Sequence, residues 1–316
     1  MDEQVLHQYL HRIGAERPSA PTPGVLRDLH ARHLLAVPFE NLSIHLGEPI
    51  ALDEDSLFDK IVVRRRGGFC YELNGAFGCL LTALGFPVSY LAAGVFEEGE
   101  AVSPLFDHMV LGVDAGGAWL ADVGFGDHSL YPLRMDDAGP QLDPQGTFQV
   151  WRTSDGDLDI LRDGKPQYRV ETRPRRLVDF GPACWWQQTW EDSHFRRSLV
   201  CTMPVDESPD RSLDQSLGQS LGRVTLSGRR LIRTLAGERQ ESELGSDEEV
   251  LSAYRDLFGI RLDRVPQLGG EPSTVPVSDG SLNQRRRARS RTGRRSRAAA
   301  GPGQPGPPDP PSAPTP

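Results

Sequence analysis

Three residues of the sequence could together perform nucleophilic chemistry. Cys70 follows the glycine pair of RGGFC and opens a helix-like run, where the unpaired N–H groups of a helix start favour a thiolate. His108 opens one strand-like segment, and Asp122 ends the next one. A carboxylate beside an imidazole fixes its tautomer and stabilises the imidazolium that forms when a thiol gives up its proton. These residue types indicate a cysteine nucleophile, a general base and an orienting acid.

The local context of each residue leaves a second interpretation open. Cys70 can be a small buried residue in a tight turn, which is the commoner role of a cysteine. His108 can be a histidine at a strand end, and Asp122 a turn residue. If Cys70 is the nucleophile, we expect Gly67 and Gly68 to permit a sharp turn that exposes its sulfur. The N–H groups of the new helix could then also hold an oxyanion.

The elements that must position these residues change from helical to β-rich near residue 85. Helical spacing of apolar residues predicts helices over 3–13, from Pro23 onwards, over 54–63 and over 70–84. Strand-like segments follow at 87–96, 108–113, 118–124, 147–152, 158–162 and 167–171, and a hairpin lies within 222–240. A short turn at 114–117 would bring His108 and Asp122 side by side. A last helix is signalled by the capping-box pair Ser246 and Glu249 and stops at Gly259.

The composition argues against several classes of protein. The 316 residues carry a formal charge of −9; residues 268–316 hold eight arginines against three acids and contribute +5, which leaves −14 on the rest. So acidic a body argues against nucleic acid as the main partner. The four cysteines form no CxxC pair and no zinc-like cluster, so we expect neither a disulfide framework nor a bound metal. With no membrane-length apolar run and no targeting signal, we expect a cytoplasmic protein without a membrane partner.

Seven ordered segments resemble the arylamine N-acetyltransferase family. They are VPFENL (37–42), RGGFCYELN (66–74), LGFPVSYLAAGVF (84–96), DHMVLGV (107–113), WLADVGFG (119–126), SHF (193–195) and LFGIRL (257–262). The block in which RGG precedes an aromatic residue, a cysteine, a second aromatic residue and E-x-N is highly specific. The resemblance covers roughly residues 1–265 and implies that the family's Cys-His-Asp triad falls on Cys70, His108 and Asp122.

The resemblance also implies an α+β fold. It consists of an N-terminal helical bundle, a central β-barrel and a C-terminal α/β lid around a core like that of the cysteine proteases. We expect the bundle with the nucleophile in 1–85, the barrel with the histidine and the aspartate in 86–190, and the lid in 191–268. Residues 269–316, rich in arginine and proline, are expected to be a disordered tail.

The reaction implied by the resemblance is a ping-pong acyl transfer of the kind used in xenobiotic metabolism. Cys70 takes the acetyl group of acetyl-CoA, and an aromatic amine or hydrazine then attacks acetyl-Cys70 while His108 accepts its proton. An arylamine is largely unprotonated near neutral pH, so its lone pair is available, whereas an alkylamine is mostly a cation. The oligomeric state is not predicted.

Residues around the triad receive supporting roles. We expect Glu40, Asn41 and Arg66 to form a buried polar network that fixes the Cys70 turn. A pocket for the acceptor and CoA is expected to involve Phe39, Val95, Gly124, Phe125, Gly126 and Phe195, each of which can equally be a core or turn residue. A tryptophan cluster, either packing or a wall of the cleft, comprises Trp185, Trp186 and Trp190. Where the family often has Thr-x-Pro before SxF, TWEDSHF (189–195) places Glu191 at the proline, which bears on the choice of acceptor more than on catalysis.

Two other functions use the same residues. An amide synthase of the same family would take its acyl group from a carrier-protein thioester and release an ansamycin-type polyketide; neighbouring polyketide synthase genes would favour it. A hydrolase or transglutaminase-like enzyme would use water or lysine as the acceptor of the acyl group. That alternative fails if acetyl-CoA acetylates Cys70 and product forms only when an arylamine is added.

Overall fold

The first part of the chain is helical, and three of its five helices begin at a residue whose polar side chain caps them. The computed structural model describes residues 1–97, 101–206 and 221–268. Its first helices are α1 (Glu3–Arg12), α2 (Pro23–Ala36), α3 (Leu42–Leu46), α4 (Glu54–Phe58) and α5 (Cys70–Ala83). Asp2 accepts a hydrogen bond from the N–H of Val5 at 2.9 Å, and Thr22 accepts one from the N–H of Val25 at 3.3 Å. The predicted helix over 54–63 is confirmed, with its second half a π-helical segment that buries Lys60.

An eight-stranded antiparallel sheet forms the centre of the fold. In chain order its strands are β2 (Val88–Val95), β3 (His108–Asp114), β4 (Ala118–Ala121), β5 (Leu133–Arg134), β6 (Gln141–Asp143), β7 (Gly146–Arg152), β8 (Leu158–Arg162) and β9 (Lys165–Val170). Their spatial order is β5-β4-β3-β2-β9-β8-β7-β6. The edge strands meet through one side chain, because Gln141 of β6 accepts from the N–H of Arg134 at 2.7 Å and donates to its carbonyl at 3.0 Å. The sheet is therefore a nearly closed barrel, as predicted.

A second, five-stranded sheet packs against the last helix. It has the order β1-β10-β11-β12-β13, with β1 (Phe39–Glu40), β10 (Val200–Val205), β11 (Gly222–Ser227), β12 (Arg230–Leu235) and β13 (Glu238–Glu243). The predicted last helix is α8 (Asp247–Phe258), which begins at Ser246 and ends at Gly259 in a left-handed conformation, φ 69°. Its buried face, including Val250 and Tyr254, forms one core with the second sheet. The predicted α+β architecture is confirmed.

The structure differs from the predicted elements at several places. The strand predicted over 118–124 ends at Ala121, because the backbone N–H of Asp122 donates to Nε2 of His30 at 3.1 Å and leaves the ladder. The sequence analysis missed β1 and β10, which pair with each other and so join the predicted bundle to the predicted lid. It also missed α3 and two helices on the cavity side, α6 (Gly181–Thr189) and α7 (His194–Arg197).

Several predictions concern regions or properties beyond these elements. The described residues, from 1 to 268, belong to one compact unit, and the three predicted domain boundaries stay predictions. The predicted tail lies outside the described residues. Among the helices of the described ranges, none combines the length and apolarity needed to cross a bilayer. Within those same ranges, no three side chains of His, Cys, Asp or Glu gather as a metal-binding group.

Candidate active site

Cys70 is the first residue of α5, and its neighbours pack against the turn before it. The carboxylate of Glu72 accepts from the N–H of Phe69 at 3.2 Å, which caps the helix start. A Cβ at Gly67 would lie 1.9 Å from the carbonyl oxygen of Pro38, and one at Gly68 would lie 2.7 Å from Cβ of Glu72. Cys70 is only 2% exposed. The two glycines therefore allow the Pro38 backbone and the Glu72 side chain to pack closely against the turn. The expectation that they expose the sulfur is wrong.

His108 and Asp122 are joined as the sequence predicted. Nε2 of His108 lies 2.8 Å from Oδ2 of Asp122, and both side chains are buried. Burial by itself would raise the pKa of Asp122, but the charge and hydrogen bond of His108, with further help from Asn74, hold that pKa well below its usual range. Asp122 is therefore ionised at any pH near neutrality, and it holds the proton of His108 on Nε2.

The other ring nitrogen of His108, Nδ1, takes no part in the bond to Asp122. Both residues line the same cavity. The imidazole is wedged between Phe125 and Tyr168, whose ring centroids lie 5.2 and 5.1 Å from its own. Burial, and next the nearby carboxylate of Asp107, raise the pKa of the Cys70 thiol well above its usual value. This shift favours the thiol form of Cys70 over the thiolate.

Asn74 joins the three residues, and the sequence analysis gave it no role. Its amide donates to Oδ1 of Asp122 at 2.9 Å and to the carbonyl of Met109 at 2.6 Å, and its Oδ1 accepts from the N–H of Val123 at 2.9 Å. Because Asn74 is four residues after Cys70, both side chains lie on one face of α5. That spacing, visible in RGGFCYELN, was the signal that could have identified it.

Gly124 allows α5 to lie directly on the loop after β4. A Cβ at this position would be 2.7 Å from Cα of Cys70 and 2.7 Å from Nδ2 of Asn74. The N–H of Gly124 also donates to Oδ1 of Asp122 at 2.9 Å. Gly124 therefore allows α5 to pack against this loop, in addition to lining the cavity.

A cavity of about 1020 Å³ opens over Cys70 and His108. Five of the six predicted pocket residues line it: Phe39, Val95, Gly124, Phe125 and Phe195. Gly126 does not, because it borders a void of about 10 Å³ beside Asp122 and His128. The tryptophans divide as well, since Trp186 lines the main cavity and Trp185 a separate one of about 410 Å³. Trp190 stacks on Trp186 with ring centroids 6.4 Å apart.

Two of the three predicted supporting residues form a buried ion pair under the Cys70 turn. Nε of Arg66 donates to Oε1 of Glu40 at 2.9 Å, and the N–H of Glu40 donates to the carbonyl of Gly68 at 2.9 Å. Asn41 does not join them. Its amide donates to the carbonyls of Phe195 and Ser198 at 3.0 and 2.6 Å, so it holds α7 and the residue that ends it instead.

A second buried ion pair was missed. Nζ of Lys60, on the π-helical segment, donates to Oε1 of Glu72 at 2.6 Å, and both side chains are buried. The sequence analysis gave Lys60 no role; in the structure the π-helical segment turns it inward. The two ion pairs lie on either side of the turn that carries Cys70, and so they fix its course.

Arg66→Ala should lower the free energy of unfolding by about 3–5 kcal/mol, because it leaves the carboxylate of Glu40 buried without its cation. Burial would raise the pKa of Glu40, and the charges of Arg66 and Lys60 together with the Leu42 N–H more than offset this, with Arg66 contributing most. The measurement is urea unfolding at pH 7. Arg239→Ala is the matched control: its ion pair with Glu241 is exposed, with side chains 58% and 39% accessible, and should change stability by less than about 0.5 kcal/mol. Equal effects of the two variants would contradict the assignment.

Buried neutral histidines behind the site should make the fold sensitive to mild acid. Burial lowers the pKa of His30 to about 4, although its hydrogen bond to the Leu130 carbonyl favours the charged form, and burial lowers that of His128 to about 4. In the unfolded chain these histidines bind a proton near pH 6.5, whereas in the fold they do so only near pH 4. Their contribution to the free energy of unfolding is therefore complete above pH 6.5, falls as the pH decreases, and stops falling below about pH 4. Each histidine should remove about 2 kcal/mol between pH 7 and pH 5.

His30→Gln is the variant that tests this. Its free energy of unfolding in urea should fall by about 2 kcal/mol less than that of the parent chain between pH 7 and pH 5. The exposed His194 provides a control, since His194→Gln should leave the dependence on pH unchanged. Parallel pH curves for His30→Gln and the parent chain would show that His30 is not buried in its neutral form.

The geometry can now be compared with known proteins. A family model described as N-acetyltransferase matches residues 24–266. The arylamine N-acetyltransferase of Mycolicibacterium smegmatis is 35% identical over 265 residues, which cover 80% of this chain and 91% of that one. The chain belongs to the arylamine N-acetyltransferase family. The family is one of acyltransferases, and neither the amide synthase nor the hydrolase alternative finds support among the relatives.

Solved structures of arylamine N-acetyltransferases share the fold. The M. smegmatis enzyme has a TM-score of 0.73 at 33% identity, covering 84% of this chain and 96% of that one. The Mycobacterium marinum enzyme, solved in complex with CoA, has a TM-score of 0.69 at 32% identity, covering 81% and 92%. The family resemblance on the seven sequence segments is thereby confirmed.

Proposed function

We propose that the protein transfers an acetyl group from acetyl-CoA to the nitrogen of arylamines or arylhydrazines, with Cys70 as nucleophile, His108 as general base and Asp122 as orienting acid. The observation that carries this proposal is the placement of Cys70 and His108 in one cavity, with Nε2 of His108 bound to Asp122 at 2.8 Å. Acetyl-CoA as donor is supported by the CoA complex of the M. marinum relative.

The first half of the reaction loads the enzyme. As the Cys70 sulfur attacks the thioester carbonyl, Nδ1 of His108 takes the thiol proton, and Asp122 stabilises the imidazolium. The tetrahedral intermediate then expels the CoA sulfur, which leaves as a thiol with that proton. One thioester is exchanged for another, so this half costs little free energy. The raised pKa of Cys70 makes His108 necessary, because little thiolate exists before the donor binds.

The second half transfers the acetyl group to nitrogen. The amine attacks the carbonyl of acetyl-Cys70, Nδ1 of His108 accepts the proton of the nitrogen, and the Cys70 sulfur leaves and recovers a proton from the imidazolium. Aromatic walls at Phe39, Phe125 and Phe195 suit a flat acceptor. All four cysteines are free, which fits the reducing cytoplasm we propose as its location.

Mass spectrometry of the intact protein tests both halves. Acetyl-CoA alone should add the mass of one acetyl group, about 42 Da, on Cys70 by peptide mapping. Arylamines and arylhydrazines should then discharge the adduct, with N-acetyl product appearing in equal amount, whereas water and alkylamines should not. Failure to form the adduct would overturn the nucleophile, and discharge by water alone would favour a hydrolase.

A further inference from the structure

Asp107 places a carboxylate in the active-site cavity, next in sequence to His108. The side chain is half-buried and lines the same cavity as Cys70. Its Oδ1 accepts from Nε2 of Gln187 on α6 at 2.5 Å. Gln187 in turn accepts from the hydroxyl of Ser193 at 2.6 Å, so the carboxylate is tied to the opposite wall. In the proposed reaction Asp107 has no role.

The turn before Asp107 holds it in a fixed place. Phe106 has φ 76°, a left-handed conformation that a bulky residue adopts only when its surroundings impose it. The hydroxyl of Tyr71 donates to the carbonyl of Phe106 at 2.7 Å and to that of Asp107 at 3.2 Å. The guanidinium of Arg175 lies 5.1 Å from the Phe106 ring centroid on its other side. The carboxylate of Asp107 is thus built into the cavity.

The charges that face this cavity are mainly negative. Among the described residues, Glu97, Asp107 and Asp192 line it together with the guanidinium of Arg197, a formal net charge of −2 from these four side chains. Arg197 already pairs with Asp192 at 3.5 Å, so it does not neutralise Asp107. Of the carboxylates near Cys70, Asp107 raises the pKa of the thiol most, ahead of Asp122. A charged acceptor bound at Cys70 should therefore interact electrostatically with Asp107 more strongly than with the other carboxylates.

We propose that Asp107 selects the acceptor by its charge, favouring neutral or cationic arylamines and arylhydrazines and disfavouring those that bear a carboxylate on the ring. This inference rests on the proposed function and specifies its acceptor. A ring carboxylate must enter the cavity together with the reacting nitrogen. The charges of CoA, by contrast, lie on its nucleotide end, far from the thioester sulfur, so the donor does not suffer the same repulsion.

The test compares two acceptors of the same shape, 4-aminobenzoate and the neutral 4-aminobenzamide, at fixed acetyl-CoA. The enzyme should show at least about tenfold higher kcat/KM for the amide, the size expected of one like-charge contact in a partly desolvated site. Asp107→Asn should reduce this ratio about tenfold, while Asp107→Glu, which keeps the charge, should retain a preference for the amide. Asparagine can still accept the hydrogen bond of Gln187, so the wall remains in place.

The ratio isolates the choice of acceptor, because both acceptors share one acetylation step and any change in the acidity of Cys70 cancels. Asp114→Asn, at the exposed last residue of β3, is the matched control and should leave the ratio unchanged. Equal kcat/KM for the two acceptors with the parent enzyme, or an unchanged ratio in Asp107→Asn, would overturn the proposal. If acetyl-Cys70 still forms in those cases, the proposed function stands; if it never forms, the proposed function itself has failed.

Discussion

Cys70→Ala should lose the acetyl adduct entirely and lower the rate of arylamine acetylation by about 10³-fold or more. The variant has no atom that can carry the acetyl group, so the ping-pong route is closed, and only direct attack of the amine on bound acetyl-CoA remains. Intact-protein mass spectrometry and product formation with 4-aminobenzamide measure the two effects. The loss of a small side chain from a buried site should cost the fold little, which urea unfolding can verify.

Cys79→Ala is the matched control for this prediction. Cys79 lies on the same helix, with its sulfur 3.8 Å from the hydroxyl of Tyr90, and it does not line the cavity. The control should acquire one acetyl group and turn over acceptors at the rate of the parent enzyme. If Cys70→Ala kept its activity, or if the adduct mapped to another cysteine, Cys70 would not be the nucleophile.

Asp122→Asn should lower kcat by about 10³-fold or more while leaving Cys70 in place. Three donors surround the carboxylate: Nδ2 of Asn74 and the N–H of Gly124 at Oδ1, and Nε2 of His108 at Oδ2. An amide has one oxygen and cannot accept from both sides. Either its NH₂ opposes the donors at Oδ1, or it forces the His108 proton to Nδ1, where it blocks transfer from the thiol.

Measurement of each half-reaction shows where the loss falls. Both acetylation by acetyl-CoA and discharge by an amine should slow, because each step needs His108 to accept a proton. Asp136→Asn, which removes only an exposed ion pair with Arg134, should behave as the parent enzyme. A normal rate of acetylation in Asp122→Asn would contradict the role of the pair as base and orienting acid.

The residues of the proposed triad could be found in the sequence, because they lie at or next to the ends of regular elements. Cys70 opens α5 and His108 opens β3, and helical and strand periodicity located both. The hairpin joining β3 and β4 then placed Asp122 near His108. The pocket aromatics followed from the family resemblance, and five of the six predicted residues do line the cavity.

The missing parts depend on contacts between distant segments, which periodicity does not contain. The strand β10 pairs with a two-residue strand at Phe39 and includes Pro204, so its sequence favours no strand by itself. His30 lies on α2, 92 residues before Asp122 in the sequence, and its Nε2 accepts a hydrogen bond from the backbone N–H of Asp122. The position of Asp107 depends on the backbone conformation of Phe106, for which a bulky aromatic residue gives no indication.

The close contact of Gly124 with the start of α5 has a consequence for how an active molecule forms. No single element carries the whole proposed site, since Cys70 belongs to α5, while His108 and Asp122 belong to the β3–β4 hairpin and the loop after it. When α5 docks on this hairpin, the core between them and the arrangement of the three side chains form together. These contacts join residues far apart in the sequence, so they are expected to form late. Enzymatic activity should therefore return on refolding together with the last burial of core side chains, after the helical content has recovered.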